Sequence, residues 1–228
     1  MHYPSPGRLI QIGLLFLCFN SSASAQGGFL GIGGDEQTPS LTLAPAQIAV
    51  DVPTPVHGNN LALLLAQAGS GNSLSALKEK AAQKFSDQLR RELHRRLEEF
   101  FADEEVPLLR EGGLLTLHSF VDITVSKQLS DLKNSDRYEL ERGSLGLAGE
   151  FRYQLQNAAG QPLRERRIDI GELRVRENYR VKTPHDGGEV EDSTDEAITE
   201  ALAEVVKRLQ DRIEDQLEAD TLRELAAL

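Results

Sequence analysis

This chain is nearly without cysteine: Cys18 is the only one in 228 residues, and tryptophan is absent altogether. A single cysteine excludes an intramolecular disulfide framework and any zinc site built on paired thiolates. Aromatic residues make up 5%, too few for a stacking platform that would hold sugar rings or unpaired bases. Basic residues are also in deficit, 25 against 36 acidic, and a chain with formal charge −11 is poorly suited to nonspecific nucleic-acid binding. No apolar run reaches the length of a membrane span. The nucleotide-binding and hydrolase motifs are missing as well. There is no G-K-[ST] phosphate loop, no H-E-x-x-H pair, and the glycines of Gly27 to Gly34 follow no strand. Ser144 stands in Arg142-Gly143-Ser144-Leu145-Gly146, where a nucleophile elbow needs glycine at the place of Arg142. No catalytic residue and no cofactor is assigned, and the histidines beyond the leader, His57, His94, His118 and His185, are scattered singly.

What is present begins with a leader. Arg8 precedes the apolar run Leu9 to Phe19, and Ala23-Ser24-Ala25 precedes Gln26, the pattern of a secretory signal peptide cut after Ala25. Residues 1–25 are therefore expected to be removed and the protein to be periplasmic or secreted. Acylation at Cys18 is the rival, disfavoured by the bulky Leu17 in front of it. A second segment, 26–73, is rich in glycine and proline. It holds an apolar triplet, Phe29, Leu30 and Ile32, and a short strand in which Ile48, Val50 and Val52 alternate with Ala49 and Asp51; the nearby prolines place that strand at a sheet edge. A short helix is expected over Asn60 to Ala68, and a linker over 69–73.

The third segment, 74–228, reads as the folded domain. Leu77, Ala81, Phe85, Leu89, Leu93, Leu97 and Phe101 recur every four residues on a helix from about Ser75, and a stripe of that period winds slowly around the axis, which suits a twisted sheet. The charges Arg90, Arg91, His94, Arg95 and Arg96 on this helix read as a solvated face paired with nearby carboxylates. Leu114 to Lys127 alternates as a strand, with Leu115, Leu117, Val121, Ile123 and Val125 on its apolar face and a polar loop, Ser130 to Arg137, after it. The centre of the fold is expected to be a hairpin from Arg142 to Val181, turning at Asn157 to Gln161, with a bulge at Gly171 to reconcile the phases of Ile168, Ile170 and Leu173, Val175. Ser193 to Glu196 has capping-box spacing, and Ile198 to Leu217 gives a second long amphipathic helix. The fold class that follows is α+β: a two-layer sandwich with a mostly antiparallel sheet of about four strands and two long helices on one face.

Two charged groups are candidate sites. Arg174, Arg176, Arg180 and Lys182 alternate along the return strand and offer an anion-binding stripe, for lipid phosphate for example, against the simpler alternative of cross-strand ion pairs. Asp186, Glu189, Glu191 and Asp192 are candidate calcium ligands, although the spacing is not that of an EF-hand loop and an acidic cluster before a helix already suits the helix dipole.

The strand Leu114 to Asp122, the turn Ala159-Gly160-Gln161-Pro162-Leu163 between two strands, and the closing helix together resemble small bacterial envelope α/β proteins of the lipopolysaccharide-assembly and transport-auxiliary lipoprotein type. The resemblance lies in element order over Leu74 to Leu217, and Leu17 before Cys18 departs from the lipoprotein pattern. It implies a non-enzymatic accessory or scaffold protein that binds another envelope protein or a lipid component. The alternative is a periplasmic hydrolase whose site is assembled from scattered side chains. Binding is expected to involve Phe29, Leu30, Ile32, Ile48, Val50 and Val52, which the two-helix sandwich leaves without an obvious place.

Overall fold

The computed structural model describes residues 38–54 and 74–227. The leader with Cys18, the triplet Phe29, Leu30 and Ile32, the expected helix over Asn60 to Ala68 and the linker after it lie outside the described residues.

The elements run β1 (Leu41–Leu43), β2 (Gln47–Asp51), α1 (Leu74–Asp103), β3 (Leu108–Leu109), β4 (Leu115–Asn134), β5 (Tyr138–Asn157), β6 (Pro162–Asp169), β7 (Arg176–Pro184), β8 (Glu191–Asp192), α2 (Thr194–Ile213) and α3 (Ala219–Ala226). The architecture is α+β, but the sheet has eight strands rather than four, and a short third helix closes the chain. Its path is β3-β1-β4-β5-β7-β8, with β2 also on β4 and β6 also on β5.

The sheet is organised on a hairpin earlier than expected. β4 and β5, twenty residues each, pair along their whole length from Leu115 opposite Asn157 to Asn134 opposite Glu139. The polar stretch after Ser130 is thus strand, not loop. It lacked a strand signature because the apolar alternation that marks a strand requires one buried face, and Leu129 and Leu132 here are 59% and 55% exposed. The strand continues there through hydrogen bonding alone, with a register shift between Leu129 and Asp131 and the Ser130 hydroxyl donating to the Arg142 carbonyl.

The return limb is likewise divided. β6 pairs with Glu150 to Gln156 of β5 and β7 with Tyr138 to Gly146, so the two lie end to end beside one strand. Between them the chain makes a 3-10 turn, Ile170–Leu173, in place of the expected one-residue bulge at Gly171. The Asp169 carboxylate accepts from the Gly171 N–H at 2.7 Å, and Arg174 leaves the turn with φ 54°. One turn of helix lets Ile170 and Leu173 both point inward, which resolves the phase conflict without a slip. β5 bends where its partners change: Gly149 has φ +136°, a conformation that essentially only glycine adopts.

β1 and β2 run parallel to β4, and the connection from β2 to β4 through α1 is the long crossover that parallel pairing requires. Pro45, which has no N–H, separates the two short strands, while the Ala44 N–H donates to the Leu117 carbonyl. Leu41, Val50 and Val52 are buried in the core, so the sheet and core extend across the division expected at residue 73. α1 buries Phe85, Leu89, Leu93, Leu97 and Phe101 of the four-residue stripe read from the sequence, with Phe100 in addition, while Leu77 and Ala81 at its start are half-buried. It ends in a Schellman arrangement, with the Val106 N–H bonded to the Phe101 carbonyl and Glu105 at φ 56°. α2 lies alongside with its N-terminus at the same end, tied by Lys84 to Asp195 at 2.6 Å and by the Thr199 hydroxyl to Gln88 at 3.4 Å. The capping box does not form. The Ser193 hydroxyl engages Arg180 of β7, and Asp192 instead accepts the Thr194 N–H at 2.7 Å.

Phe85, Leu89, Val121, Phe151, Val205 and Leu209 belong to one core between the helices and the sheet. Within it the Tyr153 hydroxyl donates to the Gln216 side chain at 2.7 Å, satisfying the one polar atom of that ring.

Candidate functional site

A leucine-walled concavity lies where β1, β2 and α1 meet. The edge strands break at Pro45 between Leu43 and Ala46, and about two turns of α1, Arg90 to Leu97, face this break. Between them is a cleft of about 330 Å³. Leu43, Leu93, Leu97 and Leu117 supply its apolar walls, and Ser119 lines it from β4. Ser119 is 4% exposed and is the one buried polar side chain among the described residues. Arg90, Arg91 and His94 border the cleft from α1.

The lip offers few free backbone donors. The Ala44 N–H is bonded to Leu117, Pro45 has no donor, and the Ala46 carbonyl accepts from Arg90 Nε at 3.4 Å. The basic side chains differ in how they are occupied. Arg90 Nη1 lies 2.6 Å from Asp87, and His94 Nε2 lies 3.2 Å from Glu98. Arg95 and Arg96 are held by Glu92, whose carboxyl is thereby kept below the usual carboxylate range, chiefly by its hydrogen bond with Arg95. Arg91 has no ion-pair partner within 4.0 Å among the described residues and is exposed. Much of the charge run is therefore the paired, solvated face expected of it, and Arg91 is the exception.

A hydroxyl and an imidazole in one cleft invite comparison with nucleophilic catalysis. That chemistry needs the base within hydrogen-bond reach of the nucleophile. Among the described residues no hydrogen bond joins Ser119 to His94, and His94 is directed to Glu98 on its own helix. The cleft is built to hold an apolar body.

The sequence-predicted sites are placed as follows. Val50 and Val52 turn into the core and Ile48 packs partly against it, so these three side chains are turned from solvent. What β2 presents outward is its backbone edge, since β4 is its one strand neighbour among the described residues. Arg174 leaves the basic stripe, standing at the end of the 3-10 turn, whereas Arg176, Arg180 and Lys182 lie on β7. Glu191 of β8 takes up two of them, Lys182 at 2.6 Å and Arg180 at 3.5 Å, and these contacts lower its own pKa, that with Lys182 most. The four acidic candidates do not converge. Asp186 accepts the Gly188 N–H within its turn, Asp192 serves the start of α2, Glu191 faces the cations, and no group of three or more metal-ligating side chains gathers among the described residues. Asp186, Glu191 and Asp192 are thus each engaged by a nearby donor. A second exposed apolar feature is the arm formed by the far ends of β4 and β5. There the Tyr179 ring lies over Gly143 with Lys127 Nζ 4.2 Å from its centre, and burial with the neighbouring Glu141 raises the Tyr179 pKa.

The sequence reading missed the cleft. Its one signal was Ser119, a polar residue in the buried phase of Leu115, Leu117, Val121 and Ile123.

No family model and no curated protein matches the chain. Among solved structures it is similar to a neuraminyllactose-binding hemagglutinin homolog from Helicobacter pylori, at 10% identity over 86% of this chain and 96% of that one, TM-score 0.47. A minor lipoprotein from Acinetobacter baumannii is similar at 13% identity over 81% and 93%, TM-score 0.34. A lipoprotein from Caulobacter crescentus is similar at 16% identity over 58% and 82%, TM-score 0.27. These are bacterial lipoproteins and a hemagglutinin homologue, and identities and scores this low do not assign the chain to a family. Among the described residues no helix is long and apolar enough to cross a membrane.

Proposed function

We propose that this protein is an exported accessory protein of a bacterial envelope that acts by holding another envelope component, protein or lipid, and does not catalyse a reaction. The observation that carries the reading is the cleft between α1 and the β1–β2 connection, whose walls are leucines and whose lip has the Ala44 N–H bonded to Leu117 and no donor at Pro45. An apolar cavity with few polar groups is the usual form of a binding site for a small or extended apolar ligand. Support for export comes from the leader pattern of Arg8, the apolar run and Ala23-Ser24-Ala25. The triplet Phe29, Leu30 and Ile32 is proposed as a separate contact for the same partner, and the open backbone edge of β2 as a place where a partner strand can add. The β7 stripe, reduced to Arg176 and the partly neutralised Arg180 and Lys182, is a weaker candidate for anionic material.

A photo-crosslinking side chain at Ala46, on the lip of the cleft, tests the reading in cells. A discrete adduct formed from Ala46, and not from Lys207 on the exposed side of α2, is the expected result. Equal adducts from both positions would refute a specific cleft. The hydrolase alternative has its own readout: covalent labelling of Ser119 by a fluorophosphonate would overturn the non-catalytic reading.

A further inference from the structure

The lining of the cleft also bears on what it holds. We propose that its occupant is a single-chain anionic lipid, with the acyl chain between α1 and the β1–β2 connection and the headgroup at Arg91. The inference rests on the binding role proposed above and narrows it to one ligand chemistry.

Three observations lead to it. First, a peptide bound in extended form would need a row of alternating free backbone donors and acceptors, and the lip breaks that row: the Ala44 N–H is bonded to Leu117, Pro45 has no N–H, and the Ala46 carbonyl accepts from Arg90. Second, the walls are aliphatic, with Leu43, Leu93, Leu97 and Leu117 and no aromatic ring, which matches a flexible hydrocarbon rather than a planar ligand. A volume of about 330 Å³ is at the small end of the range of about 300–1,000 Å³ for ligand pockets and so fits one chain rather than two. Third, the polar side chains that border the mouth from α1 are basic, on a chain of net charge −11. Asp87 pairs with Arg90 and Glu98 lies against His94, while Arg91 has no carboxylate within 4.0 Å among the described residues. A guanidinium next to an apolar cleft binds a carboxylate or phosphate head with directed hydrogen bonds, and more strongly than an ammonium point charge would.

Calorimetric titration of the purified full chain with dodecanoate, below its aggregation concentration and at pH 8, tests this. Dodecyltrimethylammonium, with the same chain and the opposite charge, is the comparison. Expected are one dodecanoate per chain and an affinity for the cation at least tenfold lower. Arg91→Glu should weaken dodecanoate at least tenfold without changing thermal unfolding, and Ser119→Leu, which fills the cleft, should abolish binding. Ala46→Trp, closing the mouth from the partly buried lip, serves if Ser119→Leu does not fold. Equal affinity for the two amphiphiles, an Arg91→Glu protein that binds normally, or binding unaffected when the cleft is filled or closed each overturns the proposal. Absence of dodecanoate binding also overturns it, and a protein adduct from Ala46 in cells would then leave the broader binding role standing with a different occupant.

Discussion

Replacing Gly149 by alanine probes the bend on which the sheet depends. β5 changes partner there, from β6 to β7, and its φ of +136° lies where an alanine is strained by about 1–3 kcal/mol. A β-carbon at this position would also stand 2.0 Å from the Asp122 carbonyl oxygen, which is backbone of the paired strand and cannot rotate away. Relief requires β4 and β5 to separate locally, with the loss of one or two ladder hydrogen bonds at about 0.5–1.5 kcal/mol each. The sum is a loss of about 1.5–6 kcal/mol, a large part of the stability of a domain of this size. Urea unfolding followed by far-UV circular dichroism measures it from the shift in midpoint at constant slope. Gly160→Ala is the control: φ is +76° and nothing lies within 4 Å of the added carbon, so only the left-handed penalty of about 1–2 kcal/mol applies. Equal losses in the two variants, or a loss below about 1 kcal/mol at Gly149, would refute the assignment of the bend.

Other outcomes follow from the same structure. Phe151→Ala empties a fully buried site beside Tyr153 and should cost about 3–5 kcal/mol in the same assay; a loss under about 1 kcal/mol would mean the ring is not in the core. Removing residues 1–53 takes away β1 and β2 with Leu41, Val50 and Val52, and the remainder should show no cooperative unfolding transition, whereas removal of residues 1–36 should leave the transition in place. Glu92 has its folded pKa lowered below 4.5 by Arg95 and Arg96, so its stabilisation is present above that pH and is lost as pH falls through the folded value. Glu92→Gln should therefore flatten the acid limb of the stability profile, and an unchanged limb would show that the Arg95 and Arg96 contacts are not formed in solution.

How much of this was legible in the sequence depended on which residues face a core. The stripe Phe85, Leu89, Leu93, Leu97 and the alternation Leu115 to Val125 could be read directly, because burial on one face imposes a period. The arm beyond Val125 has its leucines exposed, and its continuation as strand is decided by β5 on one side and a two-residue turn at the tip, which no local pattern records. The division of the return limb into β6, a 3-10 turn and β7 was visible only as a phase conflict near Gly171, and a bulge and a helical turn resolve such a conflict equally well on paper. β1 was missed because three residues are too few for a period. The cleft was hidden for a further reason: it forms where Pro45 breaks an edge strand and a helix far along the chain crosses the gap, so Leu43, Leu97 and Ser119 meet only in three dimensions.

Methyl-resolved NMR of leucine-labelled protein, titrated with detergent-solubilised envelope material, tests the central claim most directly. The account predicts shifts confined to Leu43, Leu93, Leu97 and Leu117 around the cleft, with the exposed Leu129 and Leu132 of the arm unmoved. Shifts at Leu129 and Leu132 with the cleft leucines unchanged would place the contact on the arm and contradict it.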